Sequence, residues 1–283
     1  MVSVRKAVAE DYSAVLPLLR RLSTEHDWAP LFRKAWSSGE ETFGYLLEDQ
    51  GKVVGFLGLI HSERLINGQP ISFCHTSSWI VEESYRKHSL GLLAPVIKMN
   101  DRQVVDLSAS KDVHNISLKL GFTSLDTAFV IIPALPVGRG ILKWTHTKVI
   151  NGVDAIEPLL GKEEQRILRD HHQTPCQHLL LKSREATCYI IGTRVIKRGL
   201  PFFRIHYFSN VVLFLERAGS FRTRLGMATA SIALITDKRF LRGQELPLSK
   251  ERALPYQRMV KGSFLQPEDI DNLYSEYAIM EMQ

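Results

Sequence analysis

The sequence predicts a mixed α/β protein with two domains, each a twisted, mostly antiparallel sheet flanked by helices. Alternating apolar residues separated by tight turns fill 43–81, and stretches with helical spacing precede and follow them. The second half repeats this element order in outline. The chain has 283 residues, of which 45% are hydrophobic, so it can bury a core in each domain.

The first half predicts the element order β-α-α-β-β-β-α-β-α-β. Its three central strands form a meander, because turn residues at 49–52 and 66–69 separate the apolar runs. Gly121 ends the last helix of this half. The predicted strands are 2–8, three within 43–81, 103–109 and 128–133, and the predicted helices begin at Glu10 and span Pro30–Trp36, 90–99 and 112–120.

A composition break follows the last of these strands. Pro133, Pro136, Gly138 and Gly140 lie within eight residues, which predicts a boundary between domains 1–135 and 136–283. The second domain is predicted to be smaller in strand number but similar in order. Its predicted elements are a helix at 157–172, a hairpin at 186–209, a helix at 211–226, a strand at 228–236 and a closing strand at 273–282.

The charge of the chain favours an anionic partner. A formal charge of +6 and a pI near 9.2 suit nucleic acid, an anionic membrane surface or a phosphorylated small molecule. No run of five basic residues occurs, and aromatic residues are not interleaved with Lys and Arg, so we do not expect nucleic acid as the partner.

The cysteines and the hydropathy of the sequence indicate the cellular compartment. Cys74, Cys176 and Cys188 form no CxxC pair, so neither a disulfide framework nor a metal site is expected. No window approaches the ~20 apolar residues of a membrane span, and the first fifteen residues lack the apolar core of a signal peptide. We therefore expect a cytoplasmic protein without a membrane span.

A basic segment follows the third strand of the meander, in the stretch SSWIVEESYRKHSLGLL at 77–93. One interpretation is a solvated basic turn. The other is an anion cradle, in which the N–H groups at the start of a helix face a diphosphate and small residues allow its approach. The basic segment consists of Arg86, Lys87, His88, Ser89, Leu90 and Gly91.

The element order and this segment together resemble the GNAT superfamily of acyl-CoA-dependent N-acyltransferases. That family has an Arg/Gln-x-x-Gly-x-Gly/Ala loop that binds the pyrophosphate of coenzyme A, and here Ser89 stands at its first glycine. A second match, Lys119-Leu120-Gly121-Phe122, resembles the family's E-K-x-G-F motif. The resemblance covers 2–132 and implies tandem GNAT folds, with acyl-CoA as co-substrate and no metal.

The resemblance also implies where the chemistry occurs. In this family the acceptor amine lies in a gap where the fourth and fifth strands separate, and its proton acceptor often projects from the fourth strand. That position falls on His75, and a histidine pKa near ~6.5 suits a base. The alternative for His75 is a half-buried structural histidine. Strand alternation predicts that five residues of this strand share one face. The five are Phe73, His75, Ser77, Trp79 and Val81.

Other assignments follow the same resemblance. Val81 and Trp79 are expected beside the pantetheine arm and the acyl chain, and Ser108 and Ser77 are expected in the gap. Ser117 stands where many relatives have a tyrosine that protonates the leaving thiolate. Because a serine side chain is shorter than a tyrosine, it would reach the sulfur only through water. The alternatives are that another residue donates the proton or that the thiolate leaves without one.

The second half resembles a degenerate GNAT domain. Its nearest counterpart of the basic segment, 222–226, lies at a predicted helix end rather than after a strand. Arg204, His206 and Tyr207 are predicted acceptor contacts, with ordinary strand residues as the alternative. Resemblance to tandem proteins of polysaccharide synthesis implies a nucleotide-linked amino sugar as acceptor. The alternatives are an amino acid, polyamine or protein amine, a non-catalytic acyl-CoA binder, and a nucleic-acid module.

Overall fold

A computed structural model describes residues 1–33, 42–126, 128–137, 147–262 and 265–280. Trp36, Gly138 and Gly140, which figure in the predictions above, lie outside these residues. The first strands are β1 (Ser3–Ala7), β2 (Gly44–Asp49), β3 (Lys52–Ile66), β4 (Gln69–Val81), β5 (Gln103–Ala109), β6 (Thr123–Ser124) and β7 (Ala128–Pro133). The others are β8 (Lys148–Asn151), β9 (Gln177–Lys182), β10 (Thr187–Lys197), β11 (Leu200–Phe208), β12 (Ala233–Asp237), β13 (Lys250–Ala253) and β14 (Gln257–Lys261).

Proline residues limit the length of two helices of the first unit. Pro95 lies inside α3 and Pro17 inside α1, and each of these helices ends within three residues of its proline. The predicted helix at 211–226 is two helices that meet at Arg217. The helices are α1 (Tyr12–Leu19), α2 (Pro30–Arg33), α3 (Leu90–Ile97), α4 (Lys111–Leu118), α5 (Val153–Ile156), α6 (Lys162–His171), α7 (Val211–Glu216), α8 (Ala218–Thr229) and α9 (Glu276–Ile279).

The strands form two seven-stranded mixed sheets, as the predicted fold class requires. The first has the order β1-β2-β3-β4-β5-β14-β6 and the second β8-β9-β10-β11-β12-β7-β13. All neighbouring pairs are antiparallel except β4–β5 and β11–β12, which hold the same place in their sheets. The two sheets therefore repeat one topology, which the sequences alone did not show.

The two halves exchange one strand. β7, the last strand of the first half in sequence, lies in the second sheet beside β12, and β14 from the second half lies in the first sheet between β5 and β6. The compact units accordingly differ from the predicted 1–135 and 136–283. The first comprises Met1–Leu125, Tyr256–Gln266 and Tyr274–Met282, and the second Asp126–Pro255 and Pro267–Leu273.

Two predicted strands differ in the structure. Over its described part, 273–280, the predicted closing strand is a turn followed by α9, which Ser275 precedes and Met280 ends. The predicted strand at 228–236 begins only at Ala233, because α8 continues through Thr229 and ends at Ala230 in the left-handed region.

Each unit has its own core. In the first, α3 and α4 cover one face of the sheet, with Leu92, Leu93 and Val96 packing on Cys74 and Val104. In the second unit, α7 and α8 cover the sheet in the same way, and their apolar side chains form a separate hydrophobic cluster with those of its strands. Among the described residues, no helix has the length and apolar character needed to cross a membrane.

Candidate active site

The first sheet separates between β4 and β5. Their parallel ladder has three pairs, which end at His75 opposite Val105. β4 then continues to Val81 and β5 to Ala109. The space between 76–81 and 106–109, here called the strand gap, is therefore open to side chains from both strands. The resemblance implied such a gap, and its lining residues follow.

A β-bulge near Ser78 changes which residues face the same side. The β3–β4 register shifts between Phe56 and Gly58, and Ser78 has a φ of 52°, in the left-handed region. Trp79 and Val81 consequently pack on the core cluster that contains Cys74. The predicted alternation was therefore wrong beyond the bulge. The extra residue reverses the side on which the following side chains lie, so Trp79 and Val81 are on the face opposite Phe73, His75 and Ser77.

The face of the gap toward α3 and α4 forms a small pocket, here called the gap pocket. Asp106 is its ionisable group among the described lining residues. Burial and the charge of Glu276 raise the pKa of Asp106 to about 7, although the Ser108 N–H, 3.0 Å from Oδ1, favours the ionised form. The gap pocket is lined by Leu57, Thr76, Trp79, Leu93, Asp106, Val113, Ser117, Phe122 and Met259.

The opposite face of the gap holds Glu276, the first residue of α9. Its side chain is 5% exposed, and Ser77 Oγ donates a hydrogen bond of 2.7 Å to Oε2. The other oxygen, Oε1, is buried and accepts no hydrogen bond of ordinary geometry from the described residues. Burial raises the pKa of Glu276, and the hydroxyls of Ser108 and Ser77 oppose that shift. Tyr277 donates to Leu107 O at 3.5 Å.

The two predicted catalytic residues, His75 and Ser117, lie next to the gap on opposite faces of the sheet. His75 is 4% exposed, stacks on Phe73 with ring centroids 6.0 Å apart, and lies on the same face as Ser77. Ser117 is fully buried and lines the gap pocket with Trp79. The acid pair Asp106 and Glu276 was missed. In the sequence, Asp106 could have been recognised as the single acidic residue of the apolar strand QVVDLSA. No local pattern distinguished Glu276, which lay in a predicted strand.

The basic segment joins β4 to α3, as predicted, but its backbone is helical. Residues Glu83–His88 form a 3-10 helix, and α3 begins at Leu90. Arg86, Lys87 and Leu90 are exposed, whereas His88, Ser89 and Gly91 are half-buried. A Cβ on Gly91 would lie 3.4 Å from Val4 Cγ2, an ordinary contact, so the packing of the free protein does not itself require glycine here.

In the second sheet β11 and β12 separate in a similar way, and Asn272 of the same unit occupies the space between them. The β11–β12 ladder ends at Arg204 opposite Ile235, and the β10–β11 register shifts around His206. His206 is fully buried, with Nε2 2.9 Å from Thr193 Oγ1, and its carbonyl accepts from Asn272 N at 3.1 Å. These contacts are those of a structural strand residue, which was the stated alternative to an acceptor contact for His206.

Asn272 connects this gap to buried charges. Its Nδ2 donates to Asp237 Oδ2 at 2.7 Å, and its Oδ1 accepts from Arg239 at 2.7 Å. Arg239 also pairs with Asp126 at 2.9 Å. The predicted acceptor contacts Arg204 and Tyr207 are half-buried nearby on β11. Their predicted function stays a prediction.

The second unit's counterpart of the basic segment lies inside α8, not at the predicted helix end. Arg222 is buried and donates to Leu135 O at 2.6 Å and Pro247 O at 2.7 Å. Gly226 permits close packing, because a Cβ there would lie 2.3 Å from Ala134 Cβ. The segment serves packing within the unit.

Solved structures of similar fold have been found, whereas no protein-family model and no curated protein matches the chain. A GCN5-related N-acetyltransferase from Anabaena variabilis is 14% identical with a TM-score of 0.61, over 92% of this chain and 72% of that one. A probable N-acyltransferase of unknown function from Enterococcus faecalis is 13% identical with a TM-score of 0.57, over the same shares. The fold is therefore that of the GCN5-related N-acetyltransferases, as the sequence motifs implied.

A third similar structure supports the same fold. A GCN5-related N-acetyltransferase from Kribbella flavida is 10% identical with a TM-score of 0.56, over 92% of this chain and 70% of that one. At these identities the likeness concerns the fold, and the chemistry has to be argued from the strand gap.

Proposed function

We propose that the protein transfers an acyl group from acyl-CoA to a primary amine. The observation that carries this proposal is the strand gap itself, with ionisable groups on both faces, directly before a basic segment at the start of α3. A thioester needs a polarised carbonyl and an amine that can lose a proton, and buried carboxyls with raised pKa values are suited to proton transfer near neutral pH.

The basic segment supports the donor half of this proposal. Arg86 and Lys87 are exposed at the end of β4, where they can neutralise a pyrophosphate, and Ser89 and Gly91 present little bulk. Trp79 and Val81 lie on the α3 face of β4, the face on which an arm extending from that pyrophosphate reaches the gap pocket. Ser108, beside Glu276, contributes to the gap rather than to phosphate binding.

The opposite face supports the acceptor half. Glu276 and His75 can each accept the proton of the amine, and we favour Glu276 because Ser77 fixes one oxygen and leaves Oε1 available. If so, Glu276→Gln lowers kcat about 100-fold while keeping the shape of the side chain. His75→Ala separates the two candidates. If folded His75→Ala loses kcat about 100-fold and Glu276→Gln does not, His75 is the proton acceptor.

The acceptor proposed from sequence is a nucleotide-linked amino sugar for polysaccharide synthesis. The charge of +6 supports a phosphorylated acceptor. An amino acid, a polyamine or a protein amine is the competing class, and the carboxylate of Glu276 on the acceptor face favours an acceptor that arrives as a cation.

Release of free CoA, followed with a chromogenic disulfide, tests this proposal. Acetyl-CoA and short hydroxyacyl-CoAs are incubated with nucleotide amino sugars, amino acids, polyamines and peptides. CoA release that depends on one amine supports the proposal and identifies the acceptor. CoA binding by thermal shift without release from any amine contradicts the enzyme and leaves a binding function, and the absence of both contradicts the donor site.

A further inference from the structure

The gap pocket contains two polar groups, Ser117 and Asp106, to which the proposed function assigns no individual step. Ser117 Oγ is fully buried and makes no hydrogen bond with the described residues, and Asp106 lies in the same pocket. A buried hydroxyl without a hydrogen-bond partner is energetically unfavourable. The pocket is therefore arranged for an atom that can bond there, supplied by water or by a ligand.

The location of the pocket indicates which part of the acyl donor reaches it. Leu93, the fourth residue of α3, lines the pocket and follows the last residue of the basic segment, Gly91, by two positions, so the pocket lies close to that segment. Trp79 lines it from β4, beyond the bulge. An acyl donor whose phosphates lie at the basic segment extends along this face and brings its sulfur to the pocket.

We propose that Asp106 is a catalytic residue that protonates the departing sulfur. This inference rests on the proposed acyl transfer and adds an acid to it. The amine nitrogen bonds to the thioester carbonyl carbon, the C–S bond breaks, and the sulfur leaves with the electron pair. Asp106 passes its carboxyl proton to that sulfur, and Glu276 takes the proton of the amine. Exchange with water then restores both carboxyl groups.

The surroundings keep Asp106 available as an acid near neutral pH. Burial, and the negative charge of Glu276, raise its pKa to about 7, so a large fraction carries the proton at pH 7. No Lys, Arg or His is among the described residues that line the pocket. The groups facing Asp106 are Thr76 and Trp79 on β4, Leu93 on α3, Val113 and Ser117 on α4, Met259 on β14 and Glu276 on α9.

The first test uses bound CoA and needs no acceptor. The thiol of CoA is titrated in its complex with the protein, following the ultraviolet absorption of the thiolate. If Asp106 lies beside the sulfur, its carboxylate disfavours the thiolate, and Asp106→Asn lowers the thiol pKa by about one unit. Asp112→Asn, which removes an exposed carboxyl on α4, is the matched control and leaves the thiol pKa unchanged.

Equal thiol pKa values in the wild type and the folded Asp106→Asn variant would overturn the assignment. Failure of the wild type to bind CoA would instead overturn the proposed donor site, so the two failures are distinct. The wild type alone supplies a second measurement, in case the variant does not fold. Its kcat should fall as the pH rises through about 7, because Asp106 loses its proton. A kcat that stays level from pH 6 to 9 contradicts the proposal.

Discussion

Burial of the Asp106 carboxyl links the stability of the first unit to pH. Its pKa rises from 3.8 to about 7 on folding, so the folded state binds more protons between these values. The contribution to stability is fully present below pH 3.8 and is lost as the pH rises through about 7. At higher pH the protein therefore retains a buried charge that it would be more stable without.

The substitution Asp106→Asn tests this linkage. It removes the ionisable group, so the difference in Tm, variant minus wild type, should be larger at pH 8 than at pH 5. Thermal unfolding followed by circular dichroism at both values measures it. A difference that is the same at both pH values would show that the carboxyl is solvated in solution. Asp112→Asn, exposed on α4, provides the baseline.

The bulge in β4 determines the chemistry of the gap at the scale of the element. Without the extra residue, Trp79 would lie on the face of His75 and Ser77, and the gap pocket would lose one wall. The bulge requires a left-handed residue, and Ser78 adopts that conformation with a φ of 52°.

Two substitutions at this position are expected to differ. Ser78→Val should lower the free energy of unfolding by about 1–2 kcal/mol, because a β-branched side chain is disfavoured at positive φ. Ser78→Gly, which accepts that φ, should cost less. Urea denaturation compares the two variants, and equal losses would mean that the Ser77–Ser78 contact of 3.0 Å, not the backbone, accounts for the effect.

The basic segment and α3 form the second functional element. If phosphates bind there, Gly91→Glu should abolish CoA binding, because it adds both bulk and negative charge at the start of the helix. Gly91→Ala adds only a Cβ with ordinary contacts and should preserve the fold. Isothermal titration with CoA separates the two, and unchanged binding by Gly91→Glu would place the pyrophosphate elsewhere.

At the scale of the whole molecule, the strand exchange makes each sheet depend on both halves. β14 separates β5 from β6, so a fragment 1–135 would have β5 as an unpaired edge and β7 without its sheet. The fragment should also lack Glu276, which belongs to the strand gap.

Fragments 1–135 and 136–283 test this dependence. We expect fragment 1–135 alone to show no cooperative unfolding transition, and a mixture of the two fragments to regain one. Calorimetry of each fragment and of the mixture measures this. A cooperative transition of fragment 1–135 by itself, close to that of the intact chain, would show that its sheet closes without β14.

The sequence by itself determined the local features. Alternation and turn residues predicted the β2–β3–β4 meander, and the spacing from β4 to α3 predicted where the basic segment lies, because both depend on neighbours in the chain. Only the tertiary structure decided the rest. The β7–β14 exchange, the reversal of faces at Ser78 and the approach of Glu276 to Ser77 depend on contacts between residues far apart in sequence. Burial of Asp106 depends on the same packing, so its raised pKa appears only once the chain has folded.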